Sequence, residues 1–446
     1  VGVPVTRTRR DSVGAWILIA LGLGGFLISG FAVPVSGIGW DSGIDSLAAE
    51  NVRAIEGGVG LVEAYEDVFS TSEFYGVLVQ WSANSLGVFL GGPATIVTNA
   101  LSTYQLQSIV SLALFTGSAV VVAAVVCVLF ASRVAGAFTF ATICTLPYLS
   151  GLAIINFKDA PVAAGLTLVS SGLALLWRRG NTKWVGAAIT MIAIGTFVAL
   201  GVRIGAWVLV GGVVGVSVAA LVLWRVTADR RTPLLLPMLS TTGGLAVGLF
   251  GVWMLNPIAR INFPRWAWDA FVVSRSYPWI GEIRTFGRDL VSTDLPWWYV
   301  PSWFVAQSPV LFLGFVIIGL LAWLMCVASE FARAHSTDCD RSKPRAIALT
   351  PFAGQALALP IVMVASGATL YDGIRHLSFA IPALVVLTTP LVMRVLTAGS
   401  GSRNRSGLIM SLMAGILIAI PVTNLAASIR WFPYMYAHVN LPTAAF

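Results

Sequence analysis

Residues 40–45 place two carboxylates where they could do acid–base chemistry. Asp41 and Asp45 are four positions apart, and residues at this spacing can share one face of a helical turn. In a partly buried pocket, one carboxylate could act as a general base while the other orients it or holds a metal ion. Two solvated loop acids would have the same spacing, so the pattern leaves both interpretations open.

A second cluster, residues 156–161, joins a cation to a carboxylate. Lys158 precedes Asp159 between two apolar runs. The lysine could contact a phosphate beside an orienting or metal-binding carboxylate. Alternatively, the lysine reaches the membrane surface and the aspartate is its counter-ion.

A third cluster, residues 371–376, contains Asp372, Arg375 and His376. Arginine offers a fork of donors that matches phosphate oxygens. Histidine adds a donor, or a proton if its pKa permits, and the aspartate could orient either of them. An Arg–Asp pair that closes a turn is the alternative interpretation.

The fourth cluster is aromatic. Residues 295–303 contain Trp297, Trp298 and Tyr299 between prolines, and six of the sixteen tryptophans lie between residues 266 and 303. Tryptophans at this density are typical of an aromatic belt at the headgroup level of a membrane. Stacking on sugar rings or contact with a lipid is the functional alternative.

The composition defines the elements that must position these clusters. Of 446 residues, 57% are hydrophobic and 10% are charged, whereas soluble domains have about 25% charged residues. This excludes a soluble enzyme, a disordered chain and a nucleic-acid-binding domain, so we expect no nucleic-acid partner. The sequence predicts an all-α polytopic membrane protein that forms a single integral membrane domain over residues 1–446.

Eleven apolar runs approach the roughly 20 residues that a membrane-spanning helix needs. The predicted spans are 14–34, 107–131, 135–154, 162–177, 184–200, 206–224, 234–256, 307–328, 348–370, 380–393 and 407–425. With a cytoplasmic N-terminus, the inner segments hold 17 of the 27 Lys and Arg residues, and the outer segments hold 14 of the 19 acids. The excess of cations inside predicts this orientation and places all four clusters on the outer face.

Two long loops also fall outside, at residues 35–106 and 257–306. Both are apolar and aromatic, so we expect them to lie on the membrane surface. Within the first, apolar residues between 47 and 65 approximate helical spacing, which predicts an interfacial helix. Residues 75–98 are apolar but interrupted by glycines and a proline, which favours a re-entrant or interfacial segment.

Together these landmarks resemble a known family. They comprise the acid-containing first outer loop, Lys158-Asp159 with Pro161, residues 296–303 with Pro309, residues 372–376 followed by Phe379 and Pro382, and residues 433–436 with Asn440. In this pattern the chain resembles the polytopic C-type (GT-C) glycosyltransferases that use polyprenyl-phosphate sugars. It is most similar to the bacterial branch related to protein O-mannosyltransferases and the family-39 enzymes.

The resemblance implies an inverting transfer of a sugar from a polyprenyl-phosphate donor to an acceptor hydroxyl. The sugar would be mannose or a pentose such as arabinose, and the acceptor a lipid, a glycan or a protein. The reaction would take place on the extracytoplasmic side of a bacterial plasma membrane, among membrane lipids. A divalent metal, Mg²⁺ or Mn²⁺, is allowed by the family but not required by this sequence.

The resemblance also implies roles for residues of each cluster. The general base would be Asp41, with Asp45 as the second candidate. The remaining assignments are Lys158, Arg375 and His376 for the donor phosphate, Asp159 and Asp372 for orientation or metal binding, and Trp297, Trp298 and Tyr299 for lining the substrate site.

One departure from the family keeps two other hypotheses open. Relatives commonly have Asp-Glu in the first loop, whereas Ser42 follows Asp41 here. The chain could therefore be a catalytically inactive GT-C-like scaffold. A lipid or solute transporter or flippase is the other alternative, although the predicted spans carry almost none of the mid-membrane charges that such proteins use.

Overall fold

A computed structural model describes most of the chain: residues 9–37, 39, 76–91, 103–177, 182–227, 234–275, 280–334, 346–398 and 406–440. The described residues do not include Asp41, Asp45 or the predicted interfacial helix between residues 47 and 65. The helices are α1 Arg9–Ala32, α2 Leu78–Gly91, α3 Thr103–Phe130, α4 Arg133–Thr145, α5 Pro147–Ile155, α6 Asp159–Leu176, α7 Val185–Val202, α8 Trp207–Thr227, α9 Leu235–Leu255, α10 Pro257–Arg275, α11 Tyr299–Gln307, α12 Val310–Ala334, α13 Thr350–Ala353, α14 Leu359–Ala365, α15 Ala380–Leu387, α16 Thr389–Ala398 and α17 Ser406–Arg430.

Most of these helices can cross a membrane. Within the described residues, nine helical segments are long and apolar enough, or ten if the bent pair α4–α5 counts as one span. The nine are Val13–Ala32, Thr103–Phe130, Asp159–Leu176, Val185–Val202, Ile204–Thr227, Leu235–Leu255, Val310–Arg333, Ile347–Ala365 and Ala380–Thr397. The chain is therefore an all-α polytopic integral membrane protein. The count of eleven spans stays a prediction.

The predicted continuous span 135–154 is broken. Helices α4 and α5 meet at 60°, and Leu146 between them is extended, with φ −64° and ψ 117°. Pro147 explains the break, because a proline disfavours the helical conformation of the residue before it and cannot donate a backbone hydrogen bond.

Helices α6 and α7 pack closely enough for their backbones to touch. A Cβ at Gly165 would lie 2.6 Å from the carbonyl oxygen of Gly195, and a Cβ at Gly195 would lie 2.5 Å from that of Gly165. Small residues allow this approach between membrane helices. Since the helices are antiparallel, the contact places Asp159, at the start of α6, at the same end as Arg203, just after α7.

A buried amide ties α6 to the segment before α15. Gln355 lies in a π-helical turn, Gly354–Ala358, between α13 and α14. Its Nε2 donates to the carbonyl oxygen of Phe379 at 2.7 Å and to Thr167 Oγ1 at 3.2 Å, and its Oε1 accepts from Ser170 Oγ at 2.7 Å. Each polar atom of the Gln355 amide has a partner, so this network fixes the position of the residues that precede Phe379.

The segment 257–306, predicted as an outer loop, contains a β-hairpin that the sequence analysis did not predict. Strands β1 Glu282–Thr285 and β2 Arg288–Val291 pair antiparallel. Phe286 and Gly287 form the turn with φ of 49° and 74°, and two positive φ angles suit the twist of a tight hairpin. The Phe286-Gly287 pair between two segments of four residues was the available signal.

The hairpin packs against α11. Trp303 donates from Nε1 to Thr285 Oγ1 at 3.3 Å, and its ring lies 5.6 Å from that of Phe286.

The segment 75–98 contains helix α2 in its described part. The backbone N–H of Gly76 donates to the carbonyl oxygen of Val202 at 2.6 Å. This bond places the start of the segment beside Arg203, at the same end of the bundle as Asp159.

Candidate active site

The second and third sequence clusters meet in a buried ion pair. Arg375 donates from Nε to Asp159 Oδ2 at 2.7 Å, and each side chain is 7% exposed. The two residues are 216 positions apart, and they meet where α6 begins and where the segment before α15 returns to the same end of the bundle.

Both oxygens of Asp159 are occupied. Arg203 approaches Oδ1 at 3.4 Å, and Asn156 Nδ2 donates to Oδ2 at 3.0 Å. The Asn156 Oδ1 accepts from the backbone N–H groups of Lys158 and Asp159, which satisfies donors at the start of α6. The helix dipole also favours a carboxylate in this first turn. Asp159 is thus built as a positioning group rather than as a free base.

Arg375 is held by a second carboxylate as well. Its Nη1 donates to Asp372 Oδ2 at 3.0 Å, and the Asp372 side chain is 48% exposed. Asp372 and Gly373 both have positive φ, 56° and 67°. Arg375 therefore joins a buried carboxylate on α6 to an exposed carboxylate on its own turn.

Helix α11 positions that turn. The backbone N–H of Gly373 donates to the Tyr299 hydroxyl at 3.1 Å, and that of Ile374 donates to Gln307 Oε1 at 3.1 Å. A Cβ at Gly373 would lie 2.5 Å from Gln307 Oε1. Glycine is required at position 373 both for its backbone conformation and for this close approach.

We expect the Gly373→Ala variant to be destabilised more than Gly287→Ala. Both glycines have positive φ, and a non-glycine residue in that region costs roughly 1–2 kcal/mol. Only at Gly373 does the added Cβ also meet a neighbour, because nothing lies within 4 Å at Gly287. Thermal unfolding of the two variants in detergent measures the difference. Equal melting temperatures would contradict the close packing of the turn on Gln307.

His376 is held neutral. Its ring packs edge-on against Tyr371 with centroids 4.5 Å apart, and its buried Nδ1 has no hydrogen-bond partner among the described residues. Burial lowers the pKa of His376 to about 3, although the Asp159 carboxylate acts in the opposite direction. At neutral pH this side chain could donate one N–H to a phosphate but would add no positive charge.

This low pKa predicts that His376 destabilises the fold in acid. In the unfolded chain the pKa of His376 is about 6.5. Below this pH the unfolded chain binds a proton at His376, whereas the folded protein does not. The contribution of the neutral His376 to the free energy of unfolding is therefore complete above about pH 6.5 and is lost as the pH drops towards 3. We expect the melting temperature of the wild type to fall more steeply than that of His376→Gln over this range. A steeper fall in the variant would show that His376 is charged in the folded protein.

Among the described residues, the cluster holds more cations than carboxylates. Lys158, Arg203 and Arg375 provide three cations, and Asp159 and Asp372 provide two carboxylates. Lys158 and Arg375 are each 6% exposed. A surplus of cations in a site of low polarity attracts an anion more strongly than it would in water.

The fourth cluster divides between surface and interior. Trp297 is 77% exposed, whereas Tyr299 is 1% exposed and contacts the Gly373 turn. Burial raises the pKa of Tyr299 to about 12, so its hydroxyl stays protonated. Trp298 is half-buried. Of the three aromatic residues, Tyr299 is the one that the structure joins to Arg375 through a shared turn.

Two members of the site were missed from the sequence. Arg203 is a single cation in the short segment between the predicted spans 184–200 and 206–224, and that isolation was the available signal. Gln307 was assigned to a span and had no distinguishing pattern. Arg203 and Gln307 belong to the site because of contacts between distant parts of the chain.

The described residues do not favour a divalent metal at Asp159. They contain no group of three or more His, Cys, Asp or Glu side chains arranged to hold a metal ion. A cation at Asp159 would also have to displace the buried guanidinium of Arg375 from Oδ2. Asp372 alone offers one exposed carboxylate, and hard cations such as Mg²⁺ need several oxygen ligands.

The arrangement is suited to holding an anionic group at the membrane boundary. Three cations lie at one end of a bundle of membrane-spanning helices, and two of them, Arg203 and Arg375, are held by Asp159 and Asp372. A scan against protein-family models and a search of curated proteins found no match to this chain.

Proposed function

We propose that the protein is a membrane glycosyltransferase that moves a sugar from a polyprenyl-phosphate donor to an acceptor hydroxyl. In this proposal eleven helices span a bacterial plasma membrane, the N-terminus is cytoplasmic and the Asp159–Arg375 end faces outward. The observation that carries the proposal is the cluster of Lys158, Arg203 and Arg375 around the buried Asp159. It lies at one end of the membrane-spanning helices.

Such a cluster matches the chemical needs of a lipid-phosphate leaving group. The lipid chain of the donor stays in the bilayer, so its phosphate reaches the protein where membrane helices end. As the bond to the sugar breaks, negative charge grows on that phosphate. Fixed cations in a partly dry site stabilise such charge without reorganising, and Asp159 and Asp372 keep Arg203 and Arg375 in place.

The general base belongs to the first outer loop in this proposal. Gln105 Nε2 donates to the carbonyl oxygen of Pro34 at 3.4 Å, and Ser108 Oγ donates to that of Ile154 at 2.6 Å. The start of α3 thus links the segment just after α1 to the last turn of α5, which precedes Asn156. Asp41 follows Pro34 by seven residues, a reach of up to about 25 Å. The assignment of the base to Asp41 rests on its place in the sequence pattern.

A transfer assay in proteoliposomes tests the proposal. Radiolabelled polyprenyl-phosphate mannose and arabinose are supplied with a mixed extract of bacterial envelope acceptors, and release of polyprenyl phosphate is measured. We expect turnover by the wild type. Loss of one charged hydrogen bond is worth about 1.5–3 kcal/mol, so Arg203→Gln should lower the rate roughly 10- to 100-fold.

The matched control is Arg284→Gln. Arg284 lies on the hairpin, is 71% exposed and pairs with Asp289, so its loss should leave the rate unchanged. Equal rates for Arg203→Gln and the wild type would show that the cluster does not bind the donor phosphate. Donor movement across vesicles without turnover would instead favour a transporter.

A further inference from the structure

A polar cavity adjoins the cluster on the side of α11. Its volume is about 150 Å³, and two segments line it, within residues 292–300 and 364–370. The first segment connects β2 to α11, and the second follows α14 and leads into the Asp372 turn. The sequence analysis assigned no role to most of these residues.

The wall of the cavity has two chemically different parts. Thr293 and Asp294 supply a hydroxyl and a carboxylate, and Leu295, Val300 and the ring of Tyr299 supply an apolar face. Asp294 is exposed, and its side chain makes no hydrogen bond or ion pair with any other described residue. It is available to accept hydrogen bonds from a ligand.

The cavity shares a residue with the proposed phosphate site. Tyr299 lines the cavity, and its hydroxyl accepts from the backbone N–H of Gly373 at 3.1 Å. Leu370, on the opposite wall, is two residues from Asp372. A ligand in the cavity would therefore lie beside the turn that carries Asp372 and Arg375.

Charge separates the two sites. The cluster has more cations than carboxylates, whereas the residues that line the cavity include a carboxylate and no cation. A phosphate is thus favoured in the cluster and disfavoured in the cavity. Groups that donate hydrogen bonds to Asp294 while presenting carbon atoms to Leu295 and Val300 suit the cavity, and a sugar ring has both. A cavity of about 150 Å³ holds one six-membered ring.

We propose that this cavity binds one neutral sugar ring of the acceptor, with Asp294 accepting hydrogen bonds from its hydroxyl groups. The description of the ring as the acceptor rests on the proposed transferase function. The binding of a neutral sugar rests on the cavity alone.

Saturation-transfer NMR on the full chain in lipid nanodiscs tests the inference. The probes are methyl mannoside and methyl arabinoside at millimolar concentration. We expect the wild type to transfer saturation to at least one probe. Ala368→Trp should abolish the transfer because an indole occupies the cavity. Asp294→Ala should weaken binding roughly 10-fold or more, the value of a hydrogen bond to a charged group.

The control is Asp289→Ala, which removes an exposed carboxylate from the nearby hairpin and should leave sugar binding unchanged. Thermal unfolding reports whether each variant is folded. If Ala368→Trp does not fold, sugar binding by Asp294→Ala alone tests the inference. Absence of probe binding to the wild type, or undiminished binding to both cavity variants, would overturn the inference.

A second measurement separates this inference from the proposed function. Polyprenyl phosphate that binds the native state raises the melting temperature, and we expect the same shift in wild type and Asp294→Ala. Sugar binding that depends on Asp294, in a protein without transfer activity, would support the cavity and contradict the transferase. Transfer activity that is unchanged in Asp294→Ala and Ala368→Trp would support the transferase and contradict the cavity as its acceptor site.

Discussion

The Asp159→Asn variant is expected to lose up to about 3–5 kcal/mol of stability, because it removes the buried partner of Arg375 and leaves the half-exposed Asp372 as a weaker one. Arg375 is 7% exposed, and its Nε lies 2.7 Å from Asp159 Oδ2. The amide keeps the shape of the carboxylate but lacks its charge. Arg203, which also approaches Asp159, loses this contact in the same variant.

Thermal unfolding in detergent measures this loss, and two further variants interpret it. Asp289→Asn breaks an exposed pair with Arg284, and we expect a cost of about 0–1 kcal/mol. The double variant Asp159→Asn with Arg375→Met should recover part of the stability, because the buried guanidinium that has lost Asp159 is gone. If Asp159→Asn unfolds at the wild-type temperature, the pair does not hold α6 to the Arg375 turn.

The Asp41→Asn variant is expected to retain the fold and lose about 10²–10⁴-fold in transfer rate, the usual contribution of a general base. An acceptor hydroxyl is a poor nucleophile until a carboxylate takes its proton. Asparagine has nearly the same size as aspartate but cannot accept that proton.

The comparison with Asp45→Asn assigns the base. Transfer from radiolabelled polyprenyl-phosphate sugar measures both variants in the same proteoliposomes, and binding of polyprenyl phosphate controls for folding. We expect Asp41→Asn to bind the lipid phosphate normally and turn over poorly. A near wild-type rate in Asp41→Asn with a slow Asp45→Asn would move the role to Asp45, and two fast variants would exclude both residues as the base.

The membrane-spanning helices were largely predictable because their signal is local. A run such as Thr103–Phe130 must hydrogen-bond its own backbone in lipid, and only a helix does so within one segment. The break at Leu146 was also encoded locally by Pro147, although the sequence analysis treated that span as continuous. The hairpin at Phe286 and Gly287 was missed because its strands are four residues each, too short to show a clear alternation.

The site was predictable in its parts and not in its assembly. Lys158, Asp159, Asp372 and Arg375 were singled out because charged residues beside apolar runs are costly unless they have a role. The direct contact of Asp159 with Arg375 could not be read from either cluster. It depends on which helix ends are neighbours, and that is set by packing contacts such as Gly165 against Gly195 and by the Gln355 amide.

The contact between Gly165 and Gly195 has a consequence for the behaviour of the protein in different lipids. Bilayers vary in thickness, and a helix bundle adapts to a mismatch by tilting or by deforming the lipid around it. Two helices whose backbones interlock cannot slide along each other to relieve such a mismatch. We expect α6 and α7 to tilt as one unit, so the spacing between Asp159 and Arg203 stays constant when the acyl chains become longer or shorter.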